Sequence, residues 1–251
     1  MIHNSLFIKS FALCCSDAEL LTPFNLPSHE VDKTLLPAAM RRRTSLSTKM
    51  AITAATLACE QAKVETKSLP SVFASLGGEI QVTDALCRLL PDDNELLSPT
   101  QFHNSVHNTT AGYWSILNQC QAPTTAIAAA DDTFAMGLIE AWSQLQQSEQ
   151  TEQLLVCYDE IWPQYLAAPI GKIPFACALV LSTQAEGSIA NISLPKLSEA
   201  VNKDRLNPEW VNLAASAPAA NVIPLLMALH TKSNHPIPLN SGIPTWITAL
   251  L

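Results

Sequence analysis

The chain has 251 residues, 48% of them hydrophobic, 14% charged and 6% aromatic, with 14 Lys and Arg against 22 Asp and Glu for a formal charge of −8. That apolar fraction can bury a sizeable core, which excludes intrinsic disorder, and the length suits one large domain or two small ones. The acidic balance argues against nucleic acid as the main partner, because phosphate binding needs a concentrated basic face and the one basic run is Arg41-Arg42-Arg43.

Ser5 to Cys14 is apolar enough for a first strand buried on both faces, and Pro23, Pro27 and Pro37 punctuate the loop that follows. A helix is expected from Ala38. In it Leu46, Met50, Ala54, Leu57, Ala58 and Gln61 share one face while Lys49, Glu60 and Lys63 fall elsewhere, which predicts an amphipathic helix turned to the core. Ser71 to Leu76 reads as a buried strand that Gly77-Gly78 ends by letting the backbone turn without a Cβ clash. Thr83 or Asp84 is expected to cap a helix through Leu90, and Pro91 to Pro99 reads as a polar loop. The period of Thr100 to Leu117 assigns no element.

Ala126 to Ala130 predicts a short strand of small residues. After it, Asp131-Asp132-Thr133 offer capping oxygens and early negative charge to a helix carrying Phe134, Leu138, Ala141, Trp142 and Leu145. Leu154 to Tyr158 and Phe175 to Ser182 are two further strands, the second central. Beyond Gly187 the chain is Pro-punctuated, with a helix expected from Ala220 to His230 and a last strand near Ile247. Strands alternating with helices imply an α/β layered domain with a mainly parallel sheet, whose chemistry belongs where strands end and helices begin.

No apolar run approaches the roughly 18 uncharged residues a membrane span requires, so no transmembrane helix is expected. The start, Met1 to Cys15, is a poor lipoprotein signal: Lys9 interrupts the apolar stretch, and bulky Leu13 precedes Cys14. Seven cysteines, an odd number with no C-x-x-C pair, fit buried thiols in a reducing compartment, and the cytoplasm is the expected location.

From Leu97 to Ile116 the pieces Ser-Pro-Thr, Ser-Val-His-Asn and Ala-Gly-Tyr-Trp-Ser-Ile follow in order, flanked by Arg41-Arg42-Arg43 and by Val72-Phe73-Ala74-Ser75 with Gly78-Glu79. This combination resembles the β-ketoacyl synthase-like N-terminal domain family, over roughly Ser5 to Ser182. The resemblance implies an α/β thiolase-like half-fold, a mainly parallel five-stranded mixed sheet with helices on both faces. It implies a β-ketoacyl synthase-like domain over 1–185 and a short C-terminal extension over 186–251 packing on the same domain. Short stand-alone members resemble the chain-length-factor partners of ketosynthases in aryl polyene and related polyketide or fatty-acid-like pathways. The partners so implied are a ketosynthase, as a heterodimer, and an acyl carrier protein, with no nucleic acid and no cofactor.

An active condensing enzyme of this family keeps a cysteine at the turn between an Ala-rich strand and a buried helix, where the helix N-terminus favours the thiolate and backbone N–H groups bind the developing oxyanion. Laying that pattern on this chain puts Asp131 at the nucleophile position, within one residue, and no cysteine stands there. A carboxylate cannot hold an acyl chain as a thioester. Asp131 reads either as a helix cap or as a vestigial-pocket residue. The family's two second-half histidines have no counterpart in context, since only His230 and His235 lie beyond Asp131.

His107, Asn108, Gly112, Tyr113, Trp114, Asp131 and Phe134 are therefore the interface or pocket candidates, with Tyr113 and Trp114 equally readable as core. His107 and Asn108 are expected to fix their loop by hydrogen bonds. Arg41, Arg42 and Arg43 are carrier-docking candidates through bidentate contact with phosphate, or else cover the helix start or bridge to acidic neighbours. His103 and His107, four apart, lack a third ligand, and no metal is expected. The alternatives to a non-catalytic subunit are an acyl-thioester enzyme, either condensing through Cys120 or hydrolytic through Ser105 with His107, and a stand-alone carrier-binding module. Cys157 and Cys177 fall inside apolar strands, where a thiol is inert.

Overall fold

In the computed structural model, which describes residues 5–90, 96–166, 173–199, 206–233, 235–242 and 244–251, the longest strand is β1 (Ser5–Cys15). It alternates half-buried and buried residues and becomes buried on both faces only from Ala12 onward. The helix expected from Ala38 is broken in two. The short α1 (Ala38–Arg41) stops, and α2 (Leu46–Ala62) starts afresh where the Ser45 hydroxyl accepts from the Thr48 N–H at 3.0 Å.

Helix α2 is not amphipathic in the expected way. Met50, Ala54 and Ala58 are buried as predicted, but so are Ala51, Ile52, Thr53, Ala55 and Cys59, while Leu46 is 44% exposed. A helix buried on several sides is walled in by more than one neighbour, here the sheet and α5 (Thr109–Leu117).

Strand β2 (Ser71–Ala74) and helix α3 (Ile80–Leu89) follow. Neither Thr83 nor Asp84 caps α3, which starts earlier. Thr83 donates to the carbonyls of Glu79 and Ser105, and Asp84 pairs with Arg88 and Tyr165. Within the expected Pro91 to Pro99 loop, residues 91–95 lie outside the described residues, and Ser98 caps α4 (Pro99–Asn104). Strand β3 (Thr124–Ile127) ends three residues sooner than Ala130, and α6 (Thr133–Gln147), β4 (Glu152–Asp159) and β5 (Phe175–Ser182) complete the core elements. The tail adds β6 (Ala190–Ser193), β7 (Lys196–Ser198), α7 (Pro208–Ser216), α8 (Ile223–Thr231), β8 (Ile237–Pro238) and β9 (Thr245–Thr248). The expected helix from Ala220 thus divides into a 3₁₀ turn at Pro218–Val222 and α8.

The main sheet has six strands in the order β3-β2-β4-β5-β1-β6, and β7, β9 and β8 form a second, three-stranded sheet. The α/β class holds; the five mainly parallel strands do not. Only the β2 pairings with β3 and β4 are parallel, and β4–β5, β5–β1 and β1–β6 are antiparallel. A parallel neighbour needs a long crossover, and the helical connections through α3 to α5 and through α6 supply the two that exist.

Helices cover both faces, as expected. On one face α2 and Trp114 pack against Phe73, Leu154, Val156 and Ala178. On the other, Phe134, Leu138 and Ala141 of α6, with α8 of the tail, pack against Val72, Leu155, Cys157 and Leu179. This second face depends on a close approach at Gly137, where a Cβ would stand 3.0 Å from Leu155 Cδ1 and 3.2 Å from Ala74 Cβ.

Gly137→Val should therefore lower the unfolding free energy by about 1–3 kcal/mol in urea titrations. Gly112→Ala in α5, where a Cβ meets nothing within 4 Å, should leave it unchanged or raise it by about 0.5–1 kcal/mol. Equal midpoints for Gly137→Val and the natural protein would contradict this packing.

Candidate functional site

Parallel register brings three chain reversals to one edge of the sheet. Ala74 of β2 stands opposite Ile127 of β3 and Cys157 of β4, so Ser75 and Ala128 leave their strands beside Tyr158, one residue short of the end of β4. Here Gly78 takes a positive φ of 54°, and a Cβ on it would come within 3.2 Å of His107 Cα. The absence of that Cβ lets His107 sit close enough for its Nε2 to lie 2.9 Å from the Ser75 carbonyl oxygen. Gly78 N–H in turn donates to Ser75 Oγ at 2.9 Å.

Three carboxylates converge beneath this edge. Glu79 is 2% exposed and accepts from Ser45 Oγ at 2.7 Å, from Thr48 Oγ1 and, at 3.5 Å, from Thr110 Oγ1. Asp159 is 1% exposed and accepts from the N–H groups of Leu76, at 3.0 Å, and Ala219, at 2.6 Å. Glu160 accepts from the Gln81 N–H at 3.1 Å. Burial pushes Asp159 up to about 7 against the pull of those N–H donors, and burial together with the Glu79 charge pushes Glu160 up to about 7. Burial also raises Glu79, opposed by its three hydroxyl partners and Lys49. The sequence signal for these groups was faint: Glu79 stands in the Gly-Glu piece, and Asp159-Glu160 end a strand.

The strand-to-helix corner after β3 is built differently from the expectation. Ala130 holds a positive φ of 50°, a strained conformation for a residue with a Cβ. Asp131 is exposed, and neither it nor Asp132 caps α6 through its side chain. Thr133 closes the turn instead, accepting from Ala129 N–H at 3.0 Å and donating to Ala130 O at 2.7 Å. Two asparagines of the tail clamp the corner: Asn221 Nδ2 donates to the Asp131 carbonyl at 3.0 Å and Asn240 Nδ2 to Asp132 Oδ1 at 2.5 Å. Phe134 is fully buried in the core against α6's face of the sheet.

The remaining candidates scatter. His107 fixes its loop, whereas Asn108 contributes its backbone carbonyl, accepting from Gly112 N–H at 2.9 Å. Tyr113 is 6% and Trp114 0% exposed, and both are core in this chain. Trp114 Nε1 is buried with no hydrogen-bond partner. Burying the indole yields about 4–6 kcal/mol from 150–250 Å² of surface, which outweighs the roughly 1–3 kcal/mol of an unmet donor.

Ser105 Oγ donates to the Phe102 carbonyl at 2.9 Å, while His107 faces Ser75, so the two do not form a nucleophile–base couple. His103 packs edge-on to Tyr113, whereas His107 is held at the Ser75 carbonyl. Cys120 Sγ lies 3.5 Å from the Leu69 carbonyl, ahead of β2, at the opposite end of the parallel strands from the corner. Burial raises the thiols of Cys157 and Cys177. Arg42 and Arg43 are exposed, and none of Arg41 to Arg43 is in an ion pair among the described residues.

The profile of the β-ketoacyl synthase N-terminal domain matches residues 19–239. No curated protein sequence matches the chain. Among solved structures, a chain of the ketosynthase (ApeO) complex with its chain length factor (ApeC) from Xenorhabdus doucetiae is similar at 20% identity and a TM-score of 0.72, over 98% of this chain and 99% of that one. A chain of the type II polyketide synthase complex AntDE:AntF, an acyl carrier protein with its ketosynthase, is similar at 11% identity and a TM-score of 0.70, over 98% of each chain. A β-ketoacyl synthase from Burkholderia phymatum STM815 shares 13% identity and a TM-score of 0.62, over 92% of this chain and 71% of that one. The fold is thus the thiolase-like fold of ketosynthases. No helix among the described residues is long and apolar enough to cross a membrane.

The raised carboxylates set a pH dependence. Between about pH 4 and pH 7 the folded chain keeps protons on Asp159 and Glu160 that the unfolded chain has released, so these groups make the unfolding free energy fall as pH rises through that window and level above it. Glu160→Gln removes one such group. The variant should gain stability relative to the natural protein as pH goes from 4 to 7, by at most about 1.4 kcal/mol per pH unit in urea titrations; a difference independent of pH would refute the assignment.

Proposed function

Because the chain belongs to the β-ketoacyl synthase N-terminal domain family, we propose that it is a non-catalytic, chain-length-factor-like subunit. It forms a heterodimer with a ketosynthase and shapes the tunnel that receives the growing acyl chain, in polyketide or fatty-acid-like biosynthesis of the aryl polyene type. Residues 1–185 form the ketosynthase-like domain, and 186–251 are an extension packed on it. The free thiols, five of seven of them buried, suit a cytoplasmic protein.

One observation carries the reading: the corner where this fold would present a nucleophile has none to present. Ala128 to Asp132 offer no thiol or hydroxyl, and the one nearby hydroxyl, on Thr133, is buried and donates to Ala130. The Ala129 N–H, a donor of the type that would stabilise an oxyanion, is held by the same threonine. The ketosynthase partner is carried over from the ApeO–ApeC pairing, and carrier recognition is assigned to Arg41, Arg42 and Arg43. In this reading Asp131 stands at the family's nucleophile position, and His107, Asn108, Gly112, Tyr113, Trp114 and Phe134 support partner-facing or pocket elements.

Co-expression with a ketosynthase of the ApeO type should yield a stable complex whose products differ in chain length from those of the ketosynthase alone. Incubation of the isolated chain with acyl thioesters should leave its intact mass unchanged. A covalent acyl adduct on the isolated chain, or products unaltered by its presence, would overturn the reading.

A further inference from the structure

The 3₁₀ turn Pro218–Val222, between α7 and α8, carries the tail onto the edge of the sheet and is buried along its whole length. Its Ala219 N–H donates to Asp159 Oδ2 at 2.6 Å, and its Asn221 Nδ2 donates to the Asp131 carbonyl at 3.0 Å. Trp210 of α7 is 1% exposed and donates from Nε1 to the Ala220 carbonyl at 3.2 Å, so the turn and α7 hold together as one unit. The seat is not fully satisfied. Asn221 Oδ1 is buried with no hydrogen-bond partner, which weakens the seated position and leaves the turn more dependent on Asp159.

Asp159 holds this turn with a group that water normally keeps charged. It is buried, and no lysine, arginine or histidine pairs with it among the described residues. Its partners are neutral: the Leu76 and Ala219 N–H groups and the Ser75 hydroxyl. The titratable groups around it offer an anion no countercharge. Cys157 and Tyr158 on β4 are themselves pushed up by the Asp159 charge, and Glu160 follows it in the chain. Cys177 of β5 stands opposite Cys157, Glu79 acts on Tyr158 and Glu160, and Asp131 and Asp132 form the corner that Asn221 clasps. His107 is held at the Ser75 carbonyl. Ionised, the carboxyl group is therefore a charge in a dry site; lifting the turn removes the Ala219 donor and admits water in its place.

We propose that Asp159 is a proton-operated latch on the tail: with its carboxyl group protonated the turn Pro218–Val222 stays seated and Asn221 closes the corner after β3, and with it ionised the turn lifts and the corner loses that clasp. Burial pushes the seated group up to about 7, whereas in water it ionises in the ordinary carboxylate range. Opening therefore releases a proton between about pH 4 and about pH 7. It grows more frequent across that window, by at most about tenfold per pH unit, and levels above it. The latch belongs to the chain alone and holds whether or not a ketosynthase binds.

The test is amide hydrogen exchange of the full chain from about pH 5 to about pH 8, corrected for the pH dependence of the exchange chemistry itself. The amides from Ala219 to Val222 should lose about tenfold or more of their protection between about pH 5 and about pH 7, and little above it. They should also exchange faster than Leu179 and Val180 of β5 throughout, as a local opening requires. Asp159→Asn, which cannot ionise, should abolish the change with pH at the turn. Glu160→Gln should retain it, because Glu160 accepts from Gln81 and not from the tail. Should Asp159→Asn fail to fold, the natural protein and Glu160→Gln decide by themselves. Protection at the turn that is flat with pH, that equals that of β5 at every pH, that becomes flat in Glu160→Gln, or that keeps its slope in a folded Asp159→Asn would overturn the proposal.

Discussion

The Asp159 carboxylate joins three parts of the chain that the sheet by itself leaves separate. It ends β4, accepts from Leu76 in the turn after β2, and accepts from Ala219 in the tail, 60 residues further on. A buried carboxylate left without donors would be strongly unfavourable, and the same is true of a buried peptide N–H without an acceptor. Each half of this arrangement therefore requires the other. The turn that carries Gly77, Gly78 and Glu79 takes its place through it, and so does the 3₁₀ turn that brings Asn221 to the corner after β3.

That corner shows what the tail contributes to the proposed reading. A reactive elbow keeps backbone donors aimed at open space and a side chain free to attack. Here the donor of Ala129 is closed by Thr133, the carbonyl of Asp131 by Asn221, and the carboxylate of Asp132 by Asn240, which itself accepts from the Trp246 N–H. The strain at Ala130 persists because these neighbours over-determine it. Two of the closing groups come from the tail, so residues beyond 206 act on the same edge of the sheet as the motifs that carry the family likeness.

Much of the layout was legible from residue patterns, and the failures have identifiable causes. β1, β2, β4 and β5 could be read because buried strands are continuous apolar runs, and α6 because Phe134, Leu138 and Ala141 repeat at helical spacing above a sheet. α2 was misjudged because alanine is silent about which face is buried. β6 was missed because a four-residue edge strand with mostly half-buried residues carries no periodic signal. Of the corner after β3, the family pattern points to Asp131 as an expectation, whereas the groups that close the corner carry no such pattern. Asp and Thr in sequence do not say which oxygen will cap, and Thr133 reached the open bonds first. Asp159 and Glu160 were passed over because carboxylates at a strand end are ordinarily solvated. Their burial comes from the tail and from α2, contacts far away in sequence.

The separation of charge in this molecule follows from the same geometry. Its interior acids, Glu79, Asp159 and Glu160, are met by hydroxyls and peptide N–H groups, with Lys49 acting on Glu79 only through its field. Neutral donors pull these carboxylates toward ionisation but do not overcome their desolvation, so burial shifts the acids toward protonation, and the arginines are left outside the network. Had Arg41, Arg42 or Arg43 turned inward to pair with these acids, the α1 surface would carry less positive charge. Because the hydroxyls of Ser45, Thr48 and Thr110 satisfy Glu79, that surface keeps its positive charge unpaired among the described residues.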